Sequence, residues 1–337
     1  MTGLPSTAEL LRRHGLSGVR EEPFPNDGWS GAEMRLLRRG DDRFVLKRDS
    51  LAVDWIARAT ADGPVLREAW FAEAGPALPP PIRNPALGGA FDDRTGESAV
   101  LMPDLTGVLF DWNATLAVEQ LDAVLAALAR LHAAPWTVPG ALLPAGAPWC
   151  PLRERIALIC RSSLERPGPA RDAVAERLLP GWDRFDRLAT PAARDVVAAL
   201  SANPEPLVRA LEAQPATLIH GDLKLANVGI AADGSVEVVD WQMVMVAPVA
   251  VELGWFLVSN VNALPLPADA VLERYRGAGG LLDDAGADLA VLVGLLLRGW
   301  RKGDDADAGI TLASGVGAAD DLAWWCDRAV EAAGRRL

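Results

Sequence analysis

A chain of 337 residues, half of them hydrophobic, buries more core than one ordinary domain holds, which excludes general disorder and favours two packed lobes. Its 33 lysines and arginines against 45 aspartates and glutamates leave a formal charge of −12, which repels a phosphate backbone, excludes general nucleic-acid binding and leaves small cationic ligands open. The three cysteines, Cys150, Cys160 and Cys326, have neither zinc-site nor dithiol spacing and are expected reduced, and no apolar run reaches about 18 residues, so a cytoplasmic protein away from the membrane is expected.

In chain order, Asp27-Gly28-Trp29-Ser30-Gly31-Ala32 reads as a glycine-bearing turn, and residues 33–37 and 43–47 as two short strands joined at Arg39-Gly40-Asp41-Asp42 into a hairpin. Apolar residues recur at helical spacing over 65–74, after which Pro79, Pro80 and Pro81 force an extended connection. A short apolar strand over 99–102 runs into the turn Pro103-Asp104-Leu105-Thr106-Gly107, where the boundary between lobes 1–103 and 104–337 is placed. Leu121, Val124, Leu125, Leu128 and Leu131 put a helix over 118–133, and further helical segments cover 152–164, 171–179 and 182–188. Three strand-like runs, 216–219, 228–231 and 236–239, interrupt the helices, which resume at 249. The expected fold class is α+β, with a small β-rich N-terminal lobe and a larger, mainly helical C-terminal lobe.

Those three runs surround the strongest signal in the sequence. His220-Gly221-Asp222-Leu223-Lys224-Leu225-Ala226-Asn227 is followed thirteen positions later by Asp240 in Val238-Val239-Asp240-Trp241. This matches the H-x-D-x-x-x-x-N loop and later metal-binding Asp of kinases. Phosphoryl transfer needs a carboxylate to orient the attacking hydroxyl and take its proton, and separate oxygen ligands for Mg²⁺. Asp222 suits the first role and Asn227 and Asp240 the second; His220 reads as a brace of the loop.

The cluster resembles the aminoglycoside phosphotransferase and choline kinase family, in which H-G-D stands for the H-R-D of protein kinases. Leu128-Ala129-Arg130-Leu131-His132 resembles the helix before the family's catalytic loop, and Glu252-Leu253-Gly254-Trp255-Phe256-Leu257 the helix after its metal-binding Asp. Glu252 departs from the Asp frequent there, and its extra methylene puts the loop brace of that position in question. The resemblance implies a two-lobed protein-kinase-like fold, ATP and Mg²⁺ as cofactors, and a small-molecule hydroxyl as acceptor.

Lysine usage points the same way, since of all the basic residues only Lys47, Lys224 and Lys302 are lysines. Phe44-Val45-Leu46-Lys47 resembles the kinase V-A-I-K strand, which implies that Lys47 touches the α and β phosphates and pairs with a helical acid, Glu68 or else Glu73, while Val45 packs on adenine. Lys224, two residues after Asp222, matches the H-R-D-L-K form whose lysine approaches the γ-phosphate. Gly28, Ser30 and Gly31 sit where a phosphate-covering loop belongs and offer backbone N–H groups. Because Pro103 has no N–H, the Met102 carbonyl and the Asp104 amide are the groups expected to read the adenine edge.

The acceptor is less legible. Asp304, Asp305, Asp307, Asp320 and Asp321 either receive an aminated substrate or form a solvated face, and Trp300, Trp324 and Trp325 either line an apolar pocket or belong to the core. Aminoglycosides, macrolides, sugars and choline-like alcohols all stay open as acceptors, as does a non-catalytic nucleotide-binding protein. A protein kinase is disfavoured by the H-G-D loop and by the lack of an A-P-E segment after Asp240.

Overall fold

The computed structural model of the protein describes residues 3–26, 28–136, 146–166 and 169–337. Helix α1 (Thr7–Arg13) starts at Ser6, whose hydroxyl accepts from the Glu9 amide. There follow β1 (Glu21–Pro23), β2 (Glu33–Arg39), β3 (Asp42–Asp49), α2 (Trp55–Ala59), α3 (Arg67–Ala74), β4 (Ile82–Arg83), β5 (Gly88–Asp92) and β6 (Glu97–Pro103). Five of these strands form one antiparallel sheet in the order β1-β2-β3-β6-β5. Strand alternation on β3 sends Leu46 into a cluster with Leu10, Leu37, Ala90 and Leu101, and Val45 into one with Ala69, Val100 and Met102. Lys47 shares the Val45 face by the same period of two, which is the face that α3 covers. A side chain at Gly89 would place its Cβ 1.8 Å from the Ala69 carbonyl oxygen, so glycine there lets α3 lie against β5.

The C-terminal region is built from α4 (Val118–Ala133), α5 (Leu152–Ala157), α6 (Arg161–Leu164), α7 (Pro169–Leu188), α8 (Pro191–Ala202) and α9 (Glu205–Glu212). Strands β7 (Ala216–Ile219), β8 (Val228–Ile230), β9 (Val236–Val238) and β10 (Met245–Pro248) come next, then α10 (Val249–Ser259), α11 (Ala268–Gly277), α12 (Asp284–Asp307) and α13 (Ala318–Arg336). Strands β7 and β10 form an antiparallel pair, and β8 pairs with β9. Strand β4, from the N-terminal part of the chain, lies parallel to β9 and so ties the two regions together.

Two helical expectations need revising. The segment 152–164 is broken between α5 and α6, whereas 171–179 and 182–188 form one helix with Pro180 inside it. A proline in a helix costs about 3 kcal/mol or more, but Pro180 is exposed, and Leu178, Trp182 and Phe185 on the opposite side are fully buried, a gain of about 1.5–3 kcal/mol each. Trp182 and Phe185 sit on Gly299 and Gly303 of α12, where any Cβ would meet their atoms below 3 Å. Tertiary burial therefore outweighs the local breaker. The three cysteines are free and buried.

Candidate active site

Strand β7 delivers the loop His220-Gly221-Asp222, and Leu225–Asn227 makes one 3-10 turn before β8. Gly221 has φ +81°, and a Cβ there would lie 2.2 Å from the Met243 carbonyl oxygen, so the tight turn admits only glycine. Glu252, fully buried on α10, accepts from the His220 amide at 2.6 Å and the Gly221 amide at 3.1 Å. The extra methylene thus leaves the brace intact. Burial opposes ionisation of Glu252, yet His132, His220 and the loop amide together hold its carboxyl below the ordinary glutamate range.

His220 Nδ1 accepts from the Asp222 amide at 3.2 Å, which puts the proton on Nε2, donated to the Val239 carbonyl at 2.9 Å. Both ring nitrogens are engaged within the loop, as a brace requires. Asn260, which the sequence did not single out, accepts from the Leu225 amide at 2.7 Å and donates to the Phe256 carbonyl at 2.8 Å, fixing the far side of the loop. Asn227 donates to the Asp222 carbonyl at 3.1 Å, which leaves its amide oxygen free.

Across the cleft, Lys47 Nζ donates to Glu68 Oε2 at 2.6 Å and to Asp240 Oδ1 at 2.7 Å. Burial works against the ammonium, but the two carboxylates raise the Lys47 pKa well above its usual value. Burial likewise opposes the Asp240 carboxylate, yet Lys47 and Lys224 hold it well below the usual range; burial and the Asp240 charge push Glu68 upward. Asp240 takes a left-handed backbone, φ +66° and ψ +52°, uncommon for a residue with a side chain and a mark of a constrained site. Lys224 Nζ lies 3.3 Å from Asp222 Oδ2, and the Asp222 charge, against burial, raises the Lys224 pKa. Among the described residues no group of three or more His, Cys, Asp or Glu side chains forms a metal cage.

The reactive side chains among these, but not His220, Gly221 or Glu252, line one cavity of about 350 Å³. Of the residues expected at the nucleotide, Gly28, Ser30, Lys47, Glu68, Met102, Asp222, Lys224, Asn227 and Asp240 all face it. Val45, Gly31 and Asp104 do not. Val45 is instead packed with Ala69, Val100 and Met102. The Asp104 amide donates to the Arg43 carbonyl at 3.0 Å, and its carboxylate accepts from Arg43 at 2.6 Å and from the Thr106 hydroxyl at 2.6 Å. Extension of the β3–β6 ladder by one bond has consumed the donor that was expected to read adenine. Asp27 lies outside the described residues; next to it Asn26 accepts from the Gly28 amide at 2.8 Å and donates to the Ala32 carbonyl at 2.6 Å, tying the turn to itself.

With this arrangement in view, the family model described as "Phosphotransferase enzyme family" matches residues 23–289. The chain belongs to that family. It is accordingly a small-molecule kinase with a protein-kinase-like α+β fold. No curated protein matches the chain. Among solved structures it is similar to an aminoglycoside-3′-phosphotransferase of type VIII at 22% identity, over 87% of this chain and 97% of that one, with a TM-score of 0.46. A choline kinase from Streptococcus pneumoniae is similar at 11% identity over 98% of this chain and 100% of the other, TM-score 0.49. The macrolide 2′-phosphotransferase of Brachybacterium faecium shares 18% identity over 94% and 96% of the two chains, TM-score 0.42.

In this phosphotransferase the acids considered for an aminated substrate are mostly paired on the protein itself. Asp304 and Asp307 accept from Arg184, Asp307 also from Arg187, Asp305 from Arg301 and Asp321 from Lys302, and none of them lines the cavity. Trp300 does line it, together with Trp29, Trp55, Trp112 and Trp255, whereas Trp325 is fully buried elsewhere. Sequence reasoning missed Trp29, Trp55, Trp112, Trp255, Arg155 and Arg298 because their segments are remote in sequence and meet only in the fold. Among the described residues no helix is long and apolar enough to cross a membrane.

Proposed function

We propose that the protein transfers the γ-phosphate of ATP to a hydroxyl of a small molecule with the help of Mg²⁺. One observation carries this reading: Lys47, Glu68 and Asp240 on one side and Asp222, Lys224 and Asn227 on the other meet in a single cleft. In the proposed reaction Lys47, steadied by Glu68, binds phosphate oxygens, while Lys224 offsets charge where the phosphoryl group moves. Asp222 orients the acceptor hydroxyl and takes its proton late in a loose transition state. Glu252, His220 and Asn260 keep Asp222 in place without touching the reactants.

The donor set suits Mg²⁺, since a carboxylate and an amide oxygen are hard ligands and phosphate oxygens would complete the shell. Asp240 and Asn227 would hold it, and when bound it supplies charge neutralisation along the triphosphate. Met102, Met34 and Val239 offer apolar walls for the base, and Gly28 and Ser30 cover the phosphates. Asp104 is withdrawn from that role. The nucleotide requirement fits a cytoplasmic setting.

The test is Asp222→Asn, expected to lower turnover roughly 10²- to 10⁴-fold, about 3 to 5 kcal/mol, with nucleotide affinity retained. Unchanged turnover in that variant would remove Asp222 from the reaction. Nucleotide binding by the native protein without transfer to any acceptor class would favour a binding module.

A further inference from the structure

The acceptor side of the cavity has an unusual inventory. Its lining residues include Arg155, Arg298, Trp255, Trp300 and Ser259, and every one of these carries a buried polar atom with no hydrogen-bond partner among the described residues: Arg155 Nη1 and Nη2, Arg298 Nε, Trp255 Nε1, Trp300 Nε1 and Ser259 Oγ. All are donors. Buried donors are seldom left unpaired in native proteins, and each costs about 1–3 kcal/mol, more for a charged group.

Both guanidiniums sit at the cavity without an ion pair among the described residues, unlike the fully buried Arg67, which has the Asp62 carboxylate at 3.6 Å. Arg161, Arg184 and Arg335 sit on carboxylates. Arg155, with none of its surface exposed, makes one hydrogen bond, Nε to the Gly221 carbonyl at 2.7 Å, and stacks 4.5 Å over the Trp255 ring. Arg298 stacks over Trp255 at 5.4 Å and Trp300 at 5.0 Å, and has no carboxylate within ion-pair distance among the described residues. The backbone bends to put it there, because Arg298 has φ −136° and ψ 24° in the middle of α12. Among the described residues the acids lining the cavity are Glu68, Asp222 and Asp240, all used at the reaction centre. Burial disfavours both cations, and Asp222, which lines the same cavity, offsets part of that cost.

We infer that the acceptor is an anionic hydroxy compound, whose carboxylate or phosphate is taken by Arg298, with the enclosed Arg155 adding positive charge on the same Trp255 ring, and whose apolar body lies against the tryptophans. This rests on the phosphotransferase reading and narrows it. An anionic group brings the oxygens that the orphan donors lack, and a planar guanidinium suits either oxyanion. A polyamine-bearing acceptor brings further donors and positive charge to a wall that already has both in excess. Trp112, about half exposed on the cavity wall, offers apolar ring surface to a flat or apolar skeleton.

The test is ADP release with ATP and Mg²⁺ over matched acceptors: aromatic and aliphatic hydroxycarboxylates in one arm, sugar phosphates in a second, aminoglycosides, amino alcohols and neutral sugars in a third, each also titrated calorimetrically. Turnover or saturable binding is expected in the first or second arm only, which also separates carboxylate from phosphate. For the best acceptor, Arg298→Gln is expected to raise KM about tenfold or more, Arg298→Lys to recover part of the loss, and the carboxamide or dephosphorylated analogue to bind comparably worse. Preference for the third arm, an unchanged acceptor KM in Arg298→Gln, or a rise in the KM for ATP instead of that for the acceptor would each overturn the inference, as would no saturable binding in either anionic arm. Nucleotide titration of the same protein needs no acceptor, so it shows separately whether the kinase reading stands.

Discussion

Glu252→Gln is the most instructive single change away from the reacting atoms. The native carboxylate gives one oxygen to the His220 amide at 2.6 Å and the other to the Gly221 amide at 3.1 Å, in a site with no solvent exposure. Glutamine keeps the length but offers one oxygen and one NH₂, so one backbone donor must face another donor. Two charge-assisted bonds at about 1.5–3 kcal/mol each give way to one neutral bond of about 1 kcal/mol, a net loss of about 2–5 kcal/mol. For a chain of this size that corresponds to a fall in melting temperature of roughly 3–7 °C. Because the loop it releases carries Asp222, turnover should fall at least about tenfold while the KM for ATP, which the proposed reaction assigns to Lys47 and its partners, should change little. Thermal unfolding and steady-state kinetics on the same preparation decide it. A melting temperature within about 1 °C of the native value together with native turnover would refute the brace, since a buried donor pair cannot be frustrated at no cost.

Other substitutions test separate parts of the account. Gly221→Ala forces a Cβ to within 2.2 Å of the Met243 carbonyl oxygen at φ +81°, and should cost about 2–4 kcal/mol of stability by denaturant titration and most of the activity; native stability would contradict the described turn. Lys47→Met leaves Glu68 and Asp240 without their cation and should weaken nucleotide binding roughly 10- to 100-fold by calorimetry; undiminished affinity would mean that Lys47 serves the fold alone. Burial, and next the Asp54 charge, push the Asp49 carboxyl up to about 7. A folded-state value above the unfolded one means that stability present at low pH is lost as pH rises through about 7, so Asp49→Asn should stabilise the protein near pH 8 by about 1–2 kcal/mol after solvent screening, seen as a raised melting temperature, and change stability little near pH 4. A larger gain near pH 4 would reverse the sign and refute the assignment.

What the sequence revealed and what it hid divide along physical lines. The hairpin, the helix bearing Glu68, and the loop with its later Asp are set by short-range periods and spacings, and Lys47, Glu68, Asp222, Lys224, Asn227 and Asp240 do meet in one cleft. The helix through Pro180 was hidden because its continuity depends on burial of Trp182 and Phe185 against α12, far along the chain. Asp104 misled because a strand pattern does not show how far a ladder runs, and one more bond to Arg43 uses its amide. Glu252 was read through its length, yet reach depends on where α10 sits relative to β7. Charge runs such as Asp304 to Asp307 looked free because their arginine partners lie on α7. Arg155 and Arg298 are single residues on different helices, and only their shared contact with Trp255 makes them a pair.

The most direct measurement is a crystal structure of the protein with a non-hydrolysable ATP analogue and Mg²⁺. The account predicts a metal at about 2.0–2.1 Å from oxygens of both Asp240 and Asn227, Lys47 on the phosphates while still held by Glu68, and Asp222 open toward the tryptophan-lined wall. Nucleotide bound outside this cleft, or a metal that neither Asp240 nor Asn227 touches, would contradict it.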